Sequence, residues 1–256
     1  MPTISICIPT YEMKGLGTKF LRESFDILTQ QTFKDFDIVI SDHSKDDSIK
    51  NLCEEYSPIL TIHYYRNDEN RGSSSANINN AIRHATGGLI KILFQDDFLF
   101  HERALEEIVE HFDIQKDHWL LTGCTHSCDG VHFFNPLFPK VNSISSLWIK
   151  TVYSSPSTLT IKNTAPLLFD ESLLWLMDSD YYRRYHDTFG EPKILKTINV
   201  VNRVGAHQIT NSLATENIKR DEYVRVLKKH EHGINFWYYR IIGLMKNVLK
   251  SLFFWK

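Results

Sequence analysis

At 256 residues the chain can bury a full hydrophobic core, enough for one large domain or two small ones. Its 42% apolar and 23% charged residues exclude a disordered tail, and a formal net charge of -2 excludes a protein that coats nucleic acid through a basic surface. Met1-Pro2-Thr3 leads straight into Ile4-Ser5-Ile6-Cys7-Ile8 with no basic n-region or long apolar h-region, and the four scattered cysteines lack paired C-x2-C spacing. The expectation is a cytoplasmic protein without a signal peptide.

Short β-rich runs alternate with helical patterns through the first hundred residues, which predicts a mainly parallel sheet covered by helices. Ile4–Ile8 is the first strand, and Phe20, Leu21, Phe25 and Leu28 mark a helix over 18–31. Asp37–Ser41 is the second strand. Asp46-Asp47-Ser48 opens a helix that ends near Tyr56, and Leu60–Tyr64 is the third strand. A helix over 73–85 stops at Gly87-Gly88, before a strand over 89–94 that ends on Gln95-Asp96-Asp97. Leu105, Ile108, Val109 and Phe112 mark the next helix, and Trp119–Thr122 the next strand. From Cys124 to Lys150 the pattern loosens into loops. Ser157–Ile161 reads as a strand, Leu173–Tyr185 as a helix and Ile194–Arg203 as a late strand. Residues 1–112, 113–215 and 216–256 read as a ligand-binding half, a second half of the same domain, and a helical extension.

Residues 232–256 hold four Lys or Arg and no Asp or Glu among many aromatics, too polar to span a bilayer. Two readings stand: a basic aromatic helix on a membrane surface, or a helix packed on the domain with its lysines in water.

Adjacent carboxylates after an apolar strand are awkward for folding unless something positive sits beside them. Asp96 and Asp97 therefore suit a hard divalent cation, Mn2+ or Mg2+, that bridges the phosphates of a nucleotide. For an isolated Asp-Asp pair, helix capping and solvation would explain it as well. Three further features fall at strand ends of the same sheet. Pro9-Thr10-Tyr11 supplies a turn and an aromatic face for a base, Asp42 an acceptor for an imide N–H, and Arg71-Gly72 a cation and a pliable turn for a diphosphate.

Ser5-Ile6-Cys7-Ile8-Pro9-Thr10-Tyr11, Gln31-Thr32-Phe33, Ser41-Asp42, Asn70-Arg71-Gly72, Ala85-Thr86-Gly87 and Gln95-Asp96-Asp97 together resemble the family 2 glycosyltransferases of the GT-A fold. The resemblance covers about the first 110 residues closely. It implies a Rossmann-like, mainly parallel sheet flanked by helices, and an inverting transfer of a sugar from a nucleotide-sugar donor, a UDP-sugar, to a glycan or lipid-linked glycan. It places Thr10, Tyr11 and Asp42 at base and ribose, Asn79 with the donor, Asp96 near ribose or phosphates, and Asp97 on the cation. Two departures stand out: Phe94 occupies the place of a further Asp, and Ile78-Asn79 replaces an Arg-Asn step, so the Arg's contact is either lost or passed to Arg71. In Met177-Asp178-Ser179-Asp180, similar to the family's acidic step before a helix, Asp178 is the expected general base and Asp180 its substitute. His207 is a second expected cation ligand, and Phe133, Phe134, Trp148 and Trp175 are candidate faces for an acceptor sugar. Competing classes are a nucleotidyltransferase, for which Lys14-Gly15-Leu16-Gly17 comes too late after the first strand, and a non-catalytic nucleotide-sugar or glycan binder. Peripheral contact with the inner face of a membrane would run through 232–256.

Overall fold

The computed structural model describes residues 1–140, 147–148, 153–205 and 214–253, with side chains in the last helix described as far as 243. One nine-stranded sheet runs through both halves of the chain in the order β3-β2-β1-β4-β8-β6-β9-β5, with β7 paired to β6. Its strands are β1 (Ile4–Thr10), β2 (Phe36–Asp42), β3 (Ile62–Arg66), β4 (Leu89–Ile92), β5 (Phe98–Leu99), β6 (Trp119–Ser127), β7 (Phe134–Leu137), β8 (Leu159–Lys162) and β9 (Lys193–Arg203). β1 to β4 are mutually parallel, as are β6 and β9, whereas β8 runs antiparallel between β4 and β6. The helices are α1 (Gly17–Thr29), α2 (Ser48–Tyr56), α3 (Ser74–His84), α4 (Ala104–His111), α5 (Met177–Phe189), α6 (Glu216–His230) and α7 (Gly233–Phe253).

β1 is buried along its whole length because it has strands on both edges and helices on both faces. Ile4, Ile6 and Ile8 point into a core with Leu21, Phe25 and Leu28 of α1 and Leu105 and Ile108 of α4. Cys7 points to the opposite core, with Ile78, Ala81 and Ile82 of α3 and Trp119, Tyr181, Tyr182 and Tyr185. The two-residue alternation of a strand thus divides the molecule into two apolar layers.

Four elements differ from the sequence reading. Residues 124–127 and 134–137 were expected in loops but form the end of β6 and the strand β7. Gly123 explains the close packing there, since a Cβ at this position would stand 2.7 Å from the Thr197 carbonyl oxygen. The polar, glycine-containing stretch hides a strand buried between two neighbours. β5 has only two residues, too few for any periodicity to register. α5 begins at Met177 instead of Leu173, because the amides of Leu174, Trp175 and Leu176 donate to the Glu222 carboxylate of α6 at 2.7, 2.8 and 3.0 Å. A side chain from a distant helix caps this turn.

Candidate active site

The chain order reverses at β1: β2 and β3 lie on one side and β4 on the other. Loops leaving β1 and β4 therefore diverge and open a crevice, the usual ligand position in an open α/β sheet. A cavity of about 630 Å³ occupies this place, a volume suited to a nucleotide-sized ligand. Pro9 and Tyr11 after β1 and Asp96 and Asp97 after β4 line it.

Gln95 joins the two loops. Its Oε1 accepts from the Tyr11 amide at 2.9 Å and its Nε2 donates to the Gly17 carbonyl at 3.0 Å. Gly17 has no room for a side chain, because a Cβ would lie 2.3 Å from the Tyr11 carbonyl oxygen. The Lys14-Gly15-Leu16-Gly17 stretch is thus a tight turn into α1 packed on the site's rim, with Lys14 and Gly15 both at positive φ.

Asp97 is only 5% exposed. Its Oδ1 accepts from the Arg203 amide at 2.9 Å, and its Oδ2 accepts from the Ser155 hydroxyl at 3.2 Å. Burial, and next the Asp96 charge, push its carboxyl up to about 8 despite those hydrogen bonds. The Lys91 ammonium, fully buried on β4, is pushed down to about 7 by burial, with Asp97 opposing the shift. Lys91 donates to the Ser157 and Leu159 carbonyls and so ties β4 to the segment carrying Ser155. Arg203 donates to the Asp96 carbonyl at 3.2 Å, pairs with Glu23, and lies over the Phe20 and Phe98 rings.

On the opposite wall, Arg71 and Gly72 lead to Ser73, whose hydroxyl caps the N-terminus of α3 by accepting from the Ala76 amide. A cation and a helix N-terminus of this kind favour an anion. Arg71 also pairs with Asp68. Tyr11 is 37% exposed, and burial, Asp96 and Glu12 raise the phenol's pKa. His43, Lys45, Ser155 and Asn202 line the cavity as well and were missed by sequence reasoning. His43 follows Asp42 directly, which was the available signal. Burial lowers its pKa and favours a neutral ring. Ser155 and Asn202 lie in stretches where no spacing rule applies.

Thr10 and Asp42, expected to touch the donor, are fully buried and do not border the cavity. The Asp42 carboxylate accepts from the Ser44 amide and hydroxyl at 2.9 and 2.6 Å, from Thr10 at 3.2 Å and from the Tyr64 hydroxyl at 2.7 Å. These bonds set the turn that presents His43 and Lys45. Asn79 is likewise turned away: it exchanges hydrogen bonds with the Phe169 backbone and donates to Glu171, clamping α3 to the second half of the chain.

Asp178 stands in the first turn of α5, outside the residues that line the cavity, and burial pushes its carboxyl up to about 6. Tyr182, one turn further along the same helix face, donates to the Ser154 carbonyl at 3.0 Å, next to the Ser155 that holds Asp97. Asp180 does not fit a base. It is fully buried and bonded to Arg184, Lys229 and His230 at 2.7, 2.8 and 2.7 Å. Burial works against its charge, but the His230 and Lys229 hydrogen bonds and the Arg184 guanidinium outweigh it and hold the carboxyl well below the usual range. Trp148 is also structural, since it is buried, donates to Glu231 and stacks on His230. Phe133 and Phe134 are exposed on the β6–β7 hairpin. His207 lies outside the described residues.

The fold and the cavity define an open α/β protein with its ligand site at the sheet's switch point. Residues 5–160 match the sequence model of Glycosyl transferase family 2, and the chain belongs to that family. It is a glycosyltransferase. An uncharacterized glycosyltransferase of Methanocaldococcus jannaschii is 25% identical, across all of this chain and 84% of its own length. The GalNAc(5)-diNAcBac-PP-undecaprenol beta-1,3-glucosyltransferase of Campylobacter jejuni is 28% identical over 39% of this chain and 31% of its own. Among solved structures, S. aureus TarS 1-349 in complex with UDP-GlcNAc aligns with a TM-score of 0.70 at 17% identity, over 90% of this chain and 68% of that one. In a further crystal structure of S. aureus TarS the match covers 40% of that chain. The mannosyltransferase PcManGT from Pyrobaculum calidifontis, in complex with GDP-Man and Mn2+, aligns with a TM-score of 0.60 at 17% identity, over 89% of this chain and 64% of that one. These likenesses bear out the GT-A fold.

Proposed function

We propose that the chain transfers a sugar from a UDP-sugar, with inversion, to a hydroxyl of a glycan or lipid-linked glycan, assisted by Mn2+ or Mg2+. Asp97 carries this assignment: a nearly buried carboxyl borders the cavity next to Asp96, and burial and the Asp96 charge oppose its ionisation, which a cation at this place would offset. Its oxygens suit a hard divalent ion. Among the described residues no three His, Cys, Asp or Glu side chains gather, so Asp97 would share that ion with diphosphate and water instead of a protein cage. A bound cation supplies charge neutralisation for the departing diphosphate.

The chain's own residues account for the rest. Tyr11 offers its ring to the base, and Arg71, Gly72 and the N-terminus of α3 face the phosphates. Asp178 takes the proton from the acceptor hydroxyl as its oxygen bonds to the anomeric carbon. The bond from that carbon to the diphosphate breaks on the opposite side, and the nucleoside diphosphate leaves with the electron pair. Phe133 and Phe134 offer exposed faces to an acceptor sugar.

The UDP-GlcNAc complex of TarS supports a UDP donor, and the name of the Campylobacter relative supports a lipid-linked acceptor. No helix among the described residues is long and apolar enough to cross a membrane. Peripheral contact at an inner membrane face is supported by Ile234, Trp237, Tyr238 and Ile241, all exposed at helical spacing on α7. Purified protein incubated with UDP-, GDP- and dTDP-sugars, with and without Mn2+, should consume a UDP-sugar in the presence of the ion. Consumption of no donor, or equal rates in chelator, would refute the proposal.

A further inference from the structure

We infer that the side-chain carbonyl oxygen of Asn202 is a second protein ligand for the divalent cation at Asp97, an inference that rests on the cation-assisted reading above. Asn202 is the penultimate residue of β9, lines the cavity together with Asp97, and is 7% exposed. Its Nδ2 donates to the Ser155 and Ser154 hydroxyls at 2.6 and 3.3 Å, and Ser155 donates in turn to Asp97 Oδ2 at 3.2 Å. One hydroxyl therefore joins the amide to the carboxylate. The Asn202 Oδ1 is buried, yet has no hydrogen-bond partner among the described residues. Leaving such an oxygen unpaired forfeits its hydration with nothing in return, a loss that a bound ion would offset.

The orientation of the amide follows from the donors. Ser155 has one hydroxyl hydrogen. Ser155 directs it at Asp97 Oδ2 and therefore receives from the Asn202 amino group, which turns Oδ1 away from Ser155. Asp97 takes donors from Arg203, Ser155 and Ser157, fewer than the roughly four lone-pair sites of a carboxylate. A neutral carboxamide oxygen beside one carboxylate meets the preference of Mg2+ or Mn2+ for oxygen ligands and adds no negative charge against a diphosphate.

The test is binding of Mn2+ in the presence of UDP, read from the electron paramagnetic resonance of the free ion. Asn202→Ala should weaken Mn2+ binding about tenfold. Asn202→Cys should exchange Mn2+ for Cd2+ and show, beyond wild type, the ultraviolet absorption of a cadmium–thiolate bond, which forms only if the side chain touches the ion. Unchanged Mn2+ binding by Asn202→Ala overturns the inference. So does a Cys variant without the added cadmium band, even if the Ala variant does not fold. Absence of Mn2+ binding by the wild type overturns both this inference and the cation-assisted reading, whereas wild-type Mn2+ binding that Asn202→Ala leaves unchanged overturns this one alone.

Discussion

Replacing Gln95 by Leu probes the joint between the two loops that frame the cavity. The side chains are close in volume, so the change removes hydrogen bonds without opening a large hole. Gln95 is 3% exposed, accepts from the Tyr11 amide and donates to the Gly17 carbonyl. Leucine leaves both backbone groups without this partner, at about 1–3 kcal/mol each, or about 2–6 kcal/mol together. Relaxation is restricted, because the backbone at Gly17 already touches the Tyr11 loop closely enough to exclude a Cβ. In urea the loss should lower the unfolding midpoint by about 1 M with an unchanged slope. Tyr11 and Asp97 would lose their fixed separation, so the donor KM should also rise. A Gln95→Leu protein within about 0.5 kcal/mol of wild type, with an unchanged donor KM, would refute the role given to this residue.

Asp178→Asn should abolish transfer while leaving Mn2+-dependent UDP binding intact. A base acts ionised, so with its carboxyl raised to about 6 the wild-type rate should climb with pH through that value and level off above it. A rate flat from pH 5 to 8 would contradict the assignment. Asp180→Asn should cost about 3 kcal/mol in urea denaturation at pH 7, because it leaves three basic side chains without their buried partner. The folded carboxyl is held below its unfolded value, so Asp180 contributes fully above about pH 4. The gap between wild type and variant should narrow as pH falls below that value, and a constant gap would refute the ion-pair origin. Trp237→Asp combined with Ile241→Asp should abolish sedimentation with anionic vesicles without altering the thermal midpoint; equal sedimentation would refute membrane contact through α7.

The first half of the fold was legible because its signals are local and repeated. An apolar β1, the helical spacing of Phe20, Leu21, Phe25 and Leu28, and Ser73 at the start of α3 each name an element without reference to distant residues. The strand ends then bring Tyr11, Arg71, Asp96 and Asp97 to one cavity. Less legible was which strand-end groups face inward. Asp42 looks free in sequence, and its four bonds become visible only once Thr10, Ser44 and Tyr64 fold around it. Asp178 and Asp180 share a motif, yet Lys229 and His230 of α6, about fifty residues away, make one of them an ion-pair hub. Arg203 and Asn202 sit at the end of β9 with no motif around them, and pairing with β6 brings them to Asp97.

The dependence of donor turnover on Mn2+ and Asp97 tests the central claim most directly. Nucleoside diphosphate release from a UDP-sugar, titrated with Mn2+, should saturate for wild type. Asp97→Asn should run about a hundredfold slower and respond little to the ion. Superimposable Mn2+ curves for the two proteins would contradict the account.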